Sequence, residues 1–248
     1  MTKNVTVKDV NENLTEIIFV LDKSGSMWDV KSDTIGGFNQ FIEDQKKLPG
    51  EALFTFITFD TTYNKVTEGA LLESVVPLND NTYNPGGGTA LYDAVNRAIA
   101  DTVTRHNDAK TEETPGKVIM VVLTDGQENS SREVVDDKKV TAIQKISAMV
   151  KEREKLGWEV VFLGADLADW QGMGSGMGFS KMSNMSKADM SVNLKKMSNY
   201  AAVYRSASTP VGATLDNAVL DQTMNMSEEE LDKQMKDLQE EKGSDSKK

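Results

Sequence analysis

The sequence predicts an α/β protein with a mostly parallel β-sheet. Its apolar runs are short and rich in β-branched or aromatic residues, and segments with helical spacing of apolar residues separate them. Two runs, IIFVL at 17–21 and VIMVVL at 118–123, are apolar throughout, as expected of central strands covered on both faces. Both are far shorter than the ~18 residues that cross a bilayer, so we expect no membrane insertion.

The first half of the chain predicts a strand, a helix and a hairpin. The first strand is expected at 15–21, followed by a helix that ends before Pro49. Strands at 52–59 and 63–68 are separated by three residues only, which predicts an antiparallel hairpin at the sheet edge. The helix has one apolar face: Ile35, Phe38, Phe41 and Ile42.

The alternation continues in the second half. A glycine-rich turn at 84–89 leads into a helix, and a strand follows at 117–123. The next helix ends at Gly157, a residue type that readily adopts the left-handed closing conformation, and the strand 158–163 comes after it.

The pattern weakens towards the C-terminus. The segment 172–178 has four glycines, each of which costs a helix ~1 kcal/mol relative to alanine, so a loop or frayed helix is expected. A weak strand at 181–185 and a helix from Met190 follow. Residues 207–226 show no clear period and are predicted to be irregular, and 227–248 predict an acidic amphipathic helix with a disordered tail.

Composition restricts the chemistry and the partners. The chain has 28 Lys+Arg against 39 Asp+Glu, a net charge of −11 without a basic stripe, so we expect no nucleic-acid partner. It has no cysteine, which excludes thiolate metal sites and cysteine nucleophiles, and its one histidine is His106. Because the N-terminal segment has no apolar run of the signal-peptide type, we expect a cytoplasmic location.

Oxygen-bearing side chains follow two predicted strands and one turn. Asp22, Ser24 and Ser26 come directly after the first strand, Thr89 closes the glycine-rich turn, and Asp125 follows the strand 117–123. Because the carboxyl ends of parallel strands share one edge of a sheet, we expect these residues to meet where the winding of the sheet reverses. Carboxylate and hydroxyl oxygens suit Mg²⁺, with Mn²⁺ or Ca²⁺ as alternatives.

The charge of this group of residues predicts what the metal would bind. Two carboxylates bring a divalent ion only to about zero charge, and five side chains leave one octahedral position of the metal open. We therefore expect the metal to bind a Glu or Asp of a partner protein.

These residues also resemble a known motif. Asp22-x-Ser24-x-Ser26, Thr89 after a glycine run, and Asp125 in Thr-Asp-Gly are similar to the metal-ion-dependent adhesion site (MIDAS) of the von Willebrand factor A (VWA) domain family. The phrases DTIGGFNQFIE, GGTALYDAV and TDGQENSSRE resemble small, stand-alone bacterial members.

The resemblance implies a VWA domain at about 14–206, after an N-terminal extension at 1–13. Its expected fold is doubly wound and Rossmann-like, with a mainly parallel sheet, one antiparallel edge strand and helices on both faces. It implies that the five residues are metal ligands, directly or through water, in a non-enzymatic protein-binding module that can belong to a larger assembly. Next to them, Met27, Trp28 and Gly88 are candidates for contact with the partner.

The same residues are compatible with two other functions. Asp22 could serve as the nucleophile of a Mg²⁺-dependent phosphohydrolase, but that chemistry needs an acid two residues on, where the chain has Ser24. Alternatively, a structural metal could fasten loops while the Met-rich segment 173–197 or the acidic C-terminal helix binds a partner. We expect those methionines to fill gaps in a core or to form an adaptable contact surface, rather than to bind Cu(I). We expect His106 to make a helix-dipole contact or to be solvated.

Overall fold

The computed structural model describes residues 10–137, 140–167 and 169–240. Its strands are β1 (Asn11–Asp22), β2 (Glu51–Phe59), β3 (Tyr63–Leu71), β4 (Pro115–Thr124), β5 (Glu159–Ala165) and β6 (Lys181–Met185). Its α-helices are α1 (Lys31–Lys46), α2 (Leu91–Asp108), α3 (Ala142–Lys155), α4 (Trp170–Gly176), α5 (Met190–Ser206), α6 (Asn217–Met224) and α7 (Glu228–Glu240). Short 3₁₀ helices include Gly25–Val30 and Lys187–Asp189.

The strands form one sheet in the order β3-β2-β1-β4-β5-β6. The strand β3 pairs antiparallel with β2, and the other pairs are parallel. The predicted edge hairpin is therefore confirmed. The strand β1 begins at Asn11, inside the segment 1–13 that was predicted to precede the domain, because it pairs there with the start of β4 at Pro115.

Helices cover both faces of the sheet. Phe19 of β1 packs with Phe38 and Phe41 of α1 on one face, in a cluster that includes α5. Its neighbours Ile18 and Val20 point to the opposite face, where α2 and α3 lie. Burial on both faces explains why the sequence of β1 is an unbroken apolar run rather than an alternating one.

Most of the glycine-rich segment, for which a loop or a frayed helix was expected, lies in helix α4. A Cβ atom built on Gly174 would lie 2.5 Å from the Met182 Sδ atom, and one on Gly176 would lie 2.8 Å from Ile143 Cδ1. The glycines thus allow α4 to approach β6 and α3 closely, and the packing offsets their low helix propensity.

The methionines of this region fill the core, as expected. Met173 and Met182 are partly buried, and the others are buried: Met177, Met185, Met190 and Met197.

Two further helices complete the described chain. Helix α6 corrects the expectation that 207–226 is irregular: Asp216 caps it through a 2.8 Å hydrogen bond from Ala218 N, and only Leu220 and Thr223 are buried, too few to produce a visible period. Helix α7 lies where an amphipathic helix was predicted, with Leu231 and Met235 buried. The predicted tail at 243–248 lies outside the described residues, in which no helix is both long and apolar enough to cross a membrane.

Candidate metal centre

The candidate site lies at the C-terminal edge of the sheet, between β1 and β4. Here the winding reverses, because β1 has β2 on one side and β4 on the other. Asp22 is the last residue of β1, and Asp125 directly follows β4. A crevice at this position is the usual ligand site of an open α/β sheet.

Hydrogen bonds join the predicted residues into one cluster. The Ser26 hydroxyl donates to Asp125 Oδ1 over 2.5 Å and lies 3.0 Å from the Ser24 hydroxyl. The Asp22 carboxylate accepts one hydrogen bond from Ser24 N (2.6 Å) and one from the Thr124 hydroxyl (2.5 Å). The motif after β1 and the residue after β4 therefore meet, as the strand order requires.

Thr89 reaches this cluster from the start of α2. The Thr89 hydroxyl packs closely on Gly126, because a Cβ atom built on Gly126 would lie 2.5 Å from Thr89 Oγ1. A side chain at position 126 would therefore collide with Thr89, which explains the glycine directly after Asp125. Asn129 holds the Thr89 backbone on both sides, because its side chain accepts from Thr89 N (2.8 Å) and its N–H donates to Thr89 O (3.0 Å). Hydrogen bonds therefore join four of the five predicted residues, and Thr89 lies beside them against Gly126.

Burial makes the charge of Asp22 unfavourable. Its side chain is fully buried, which raises the pKa of Asp22 to about 6. The hydrogen bonds from Thr124 and Ser24 oppose this rise, whereas the negative charge of Asp125 adds to it. A cation bound beside the two carboxylates would relieve this cost.

One oxygen of the Asp125 carboxylate is held by an ion pair alone. Its Oδ2 atom is buried and accepts no hydrogen bond of good geometry from the described residues, although the Lys187 ammonium forms an ion pair with it at 2.6 Å. Among the described residues no group of three or more Asp, Glu, His or Cys could hold a metal. Metal binding here would therefore depend on hydroxyl oxygens in addition to the carboxylates, a donor set that fits a hard divalent ion.

Several residues that position the cluster carried no individual signal in the sequence, although Glu128 lies within the phrase TDGQENSSRE. The buried Tyr83 hydroxyl donates to the Asp22 carbonyl oxygen over 2.7 Å. The Glu128 carboxylate accepts from Tyr92 N (2.9 Å) at the start of α2, and from Ser130 N in its own loop. Lys187 follows a weak strand and belongs to no motif. Their roles depend on contacts between loops that are distant in the chain.

The structure revises the predicted partner surface. Met27 is fully buried in the core, so it is not available to a partner, which corrects that expectation. Trp28 is 56% exposed, and the Lys31 ammonium lies 5.3 Å from its ring centroid. Gly88 is half-buried, and a Cβ atom there would lie 2.2 Å from the Ser130 Oγ atom. Of the three, only Trp28 is well exposed.

His106 lies at the opposite end of the sheet in an ion network. Its Nε2 atom is 2.6 Å from the carboxylate of Glu16, which is fully buried on β1 and also pairs with Arg105. The sequence predicted that His106 is solvated or makes a helix-dipole contact. The structure corrects this prediction, because His106 contacts a buried carboxylate.

Known structures identify the fold. No family model and no curated protein matches the chain. The von Willebrand factor domain of a type V pilus tip protein from Porphyromonas gingivalis aligns with a TM-score of 0.59 at 9% identity, covering 81% of this chain and 99% of that one. The chain has the von Willebrand factor A fold. The doubly wound sheet with one antiparallel edge strand is thereby confirmed.

A second similar structure contains a metal. Proximal thread matrix protein 1 from the mussel byssus, with zinc in its MIDAS motif, aligns with a TM-score of 0.52 at 17% identity. The alignment covers 79% of this chain and 47% of the mussel protein, so the chain spans about half of that relative. At these identities, the similarity concerns the fold alone.

Proposed function

We propose that this chain is a VWA domain that binds partner proteins through a divalent metal ion. The ligands would be Asp22, Ser24, Ser26, Thr89 and Asp125, and the metal would bind a Glu or Asp of the partner. The observation that carries the proposal is the cluster of Asp22, Ser24, Ser26 and Asp125, which hydrogen bonds join at the reversal point of the sheet, with Thr89 packed beside it on Gly126.

Magnesium is the proposed ion. Hydroxyl and carboxylate oxygens are hard ligands, which favours Mg²⁺ with Mn²⁺ or Ca²⁺ as competitors, and the mussel structure adds zinc to the ions worth testing. The two carboxylates offset the charge of the ion only to about zero, so an anionic oxygen from outside remains an attractive ligand.

The exposed face of Trp28 is the proposed partner contact beside the metal. It lies in the 3₁₀ helix that begins directly after Ser24. Exposed aromatic residues that a partner can bury contribute strongly to protein interfaces. We expect Trp28→Ala to weaken partner binding and to leave metal affinity unchanged.

A purely structural metal is less well supported. The loops around the crevice are already joined by backbone hydrogen bonds, from Gly25 N to Gly87 O (3.0 Å) and from Gly86 N to Lys23 O (2.9 Å). They therefore do not need an ion to hold them together. The phosphohydrolase alternative is also not favoured, because the position of the required acid is Ser24, which is 2% exposed and bonded within the cluster.

Peptide selection tests the proposal without a known partner. Phage-displayed random peptides would be selected on the immobilised chain with Mg²⁺ and eluted with EDTA. We expect the selected peptides to share a Glu or Asp, and the matching Gln or Asn peptides not to bind. Binding that persists in EDTA, or in the amide peptides, would contradict the proposal.

Variants make this test specific. Asp22→Ala and Asp125→Ala should abolish both Mg²⁺ binding, measured by isothermal titration calorimetry, and peptide capture. Asp29→Ala is the matched control, because Asp29 is an exposed carboxylate on the 3₁₀ helix next to the cluster. If EDTA instead lowers the thermal stability strongly and leaves peptide capture unchanged, the metal is structural.

A further inference from the structure

A lysine side chain lies in the candidate metal centre. The ammonium nitrogen of Lys187 is 2.6 Å from Asp125 Oδ2 and 2.7 Å from the backbone carbonyl oxygen of Ser26. The side chain of Lys187 is 23% exposed, and that of Asp125 is fully buried. The ammonium thus bridges the two loops that carry proposed ligands, and it contacts the carboxylate oxygen that accepts no hydrogen bond of good geometry from the described residues.

The backbone of Lys187 is held in place by Asp166. The Asp166 carboxylate accepts from Lys187 N (3.0 Å), and Asp166 N donates to Met185 O (2.8 Å). Asp166 has a φ of 52°, the one positive value among the described non-glycine residues. An aspartate adopts this conformation more readily than most residues, but the surrounding contacts must still maintain it. These contacts hold the backbone of the turn after β6, whereas the side chain of Lys187 is 23% exposed and so borders solvent.

We propose that Lys187 is an internal competitor of the metal. In the metal-free protein its ammonium neutralises Asp125, and a divalent ion on the same carboxylate repels it and requires it to leave. This inference rests on the proposed function, because it concerns the regulation of the same site. We call the state in which Lys187 pairs with Asp125 the closed state. It neutralises one of the two buried carboxylates, and the larger its population, the weaker the apparent affinity for the metal.

The chain contains a matched control lysine. Lys23 lies on the same edge of the sheet, directly after Asp22, and its side chain is 21% exposed. Its ammonium pairs with Asp60 at 2.6 Å, and not with either carboxylate of the cluster. Lys23→Met therefore removes the same charge from nearly the same place without opening the position at Asp125.

Calorimetric titration of Mg²⁺ into the metal-free proteins tests the competition. We expect K187M to bind Mg²⁺ about tenfold more tightly than the unaltered chain. This factor follows if the closed state makes up about nine tenths of the metal-free protein, because only the remaining tenth can then bind the ion. K23M should change the affinity by less than about threefold, because the Lys23 ammonium pairs with Asp60 and with no proposed ligand, so it acts on the metal only through a solvent-screened charge. Equal affinities of K187M and the unaltered chain would overturn this inference and leave the proposed function standing.

A second measurement needs no variant. Acetylation of the unaltered protein, followed by mass spectrometry, reports how accessible each lysine is. We expect Lys187 to be modified faster in saturating Mg²⁺ than in EDTA, and Lys23 to be modified at the same rate in both. Mg²⁺ binding without any change at Lys187 would overturn the inference. If no divalent ion binds to the unaltered chain or to K187M, both the proposed function and this inference are wrong.

Discussion

Replacing Glu16 by glutamine probes the ion network that Glu16 of β1 forms with Arg105 and His106 of α2. The carboxylate of Glu16 is fully buried on β1, where it pairs with Arg105 and lies 2.6 Å from His106 Nε2. It also accepts a 2.6 Å hydrogen bond from the Thr55 hydroxyl. Glutamine keeps the size and an acceptor for Thr55 but removes the charge.

The magnitude follows from the pKa of Glu16. Burial alone would raise this pKa, but the hydrogen bonds and positive charges of His106 and Arg105 outweigh burial and lower it from 4.5 to about 2. That difference corresponds to about 3 kcal/mol of unfolding free energy at neutral pH. Because the pKa is lower in the folded state, the contribution is complete above about pH 4.5 and is lost as the pH falls towards 2.

Urea unfolding followed by tryptophan fluorescence measures this effect. We expect E16Q to lose about 3 kcal/mol at pH 7, with the loss shrinking between pH 4.5 and pH 3. The control is E133Q, which breaks an exposed pair with Arg97 at 3.4 Å and should cost less than about 1 kcal/mol. An E16Q loss that equals that of E133Q, or that is the same at pH 7 and pH 3, would refute the reasoning.

Three further outcomes are expected. In EDTA at pH 8, D22N should be folded and at least as stable as the unaltered chain in thermal unfolding. This advantage should shrink below about pH 6, because Asp22 itself then becomes protonated. Failure of D22N to fold would contradict this expectation. Y83F removes the donor to the Asp22 carbonyl and should cost about 1–2 kcal/mol in urea unfolding, so an unchanged midpoint would be evidence against that contact. M235A should loosen α7 from Leu48 and Ala202 at a cost of about 2 kcal/mol and speed proteolysis within α7, whereas unchanged cleavage would show that the docking is weak.

The elements predicted correctly from the sequence have local signals. The run 17–21 is apolar at every position because β1 is covered on both faces. Gly157 closes α3 with a φ of 86°, as its residue type suggested. The three-residue link between the second and third strands leaves no room for a crossover, so β3 had to pair antiparallel with β2.

Features with a weak local signal were predicted wrongly or not at all. Helix α6 buries two residues only, which leaves no period to detect. The glycines of α4 look unfavourable until the close contacts with β6 and α3 are known. Met27 is next to the metal motif in sequence, but its side chain turns into the core.

The sequence by itself determined the class of fold and the residue types of the candidate site, because the alternation of strands and helices and the residue after each strand are local properties of the chain. Only the tertiary structure decided which charges meet. Glu16 of β1 pairs with Arg105 and His106 of α2, and Lys187, which follows β6, pairs with Asp125, which follows β4. Such pairs have no spacing or period that a sequence can display, since they depend on how twisted strands and loops bring distant side chains within a few ångströms.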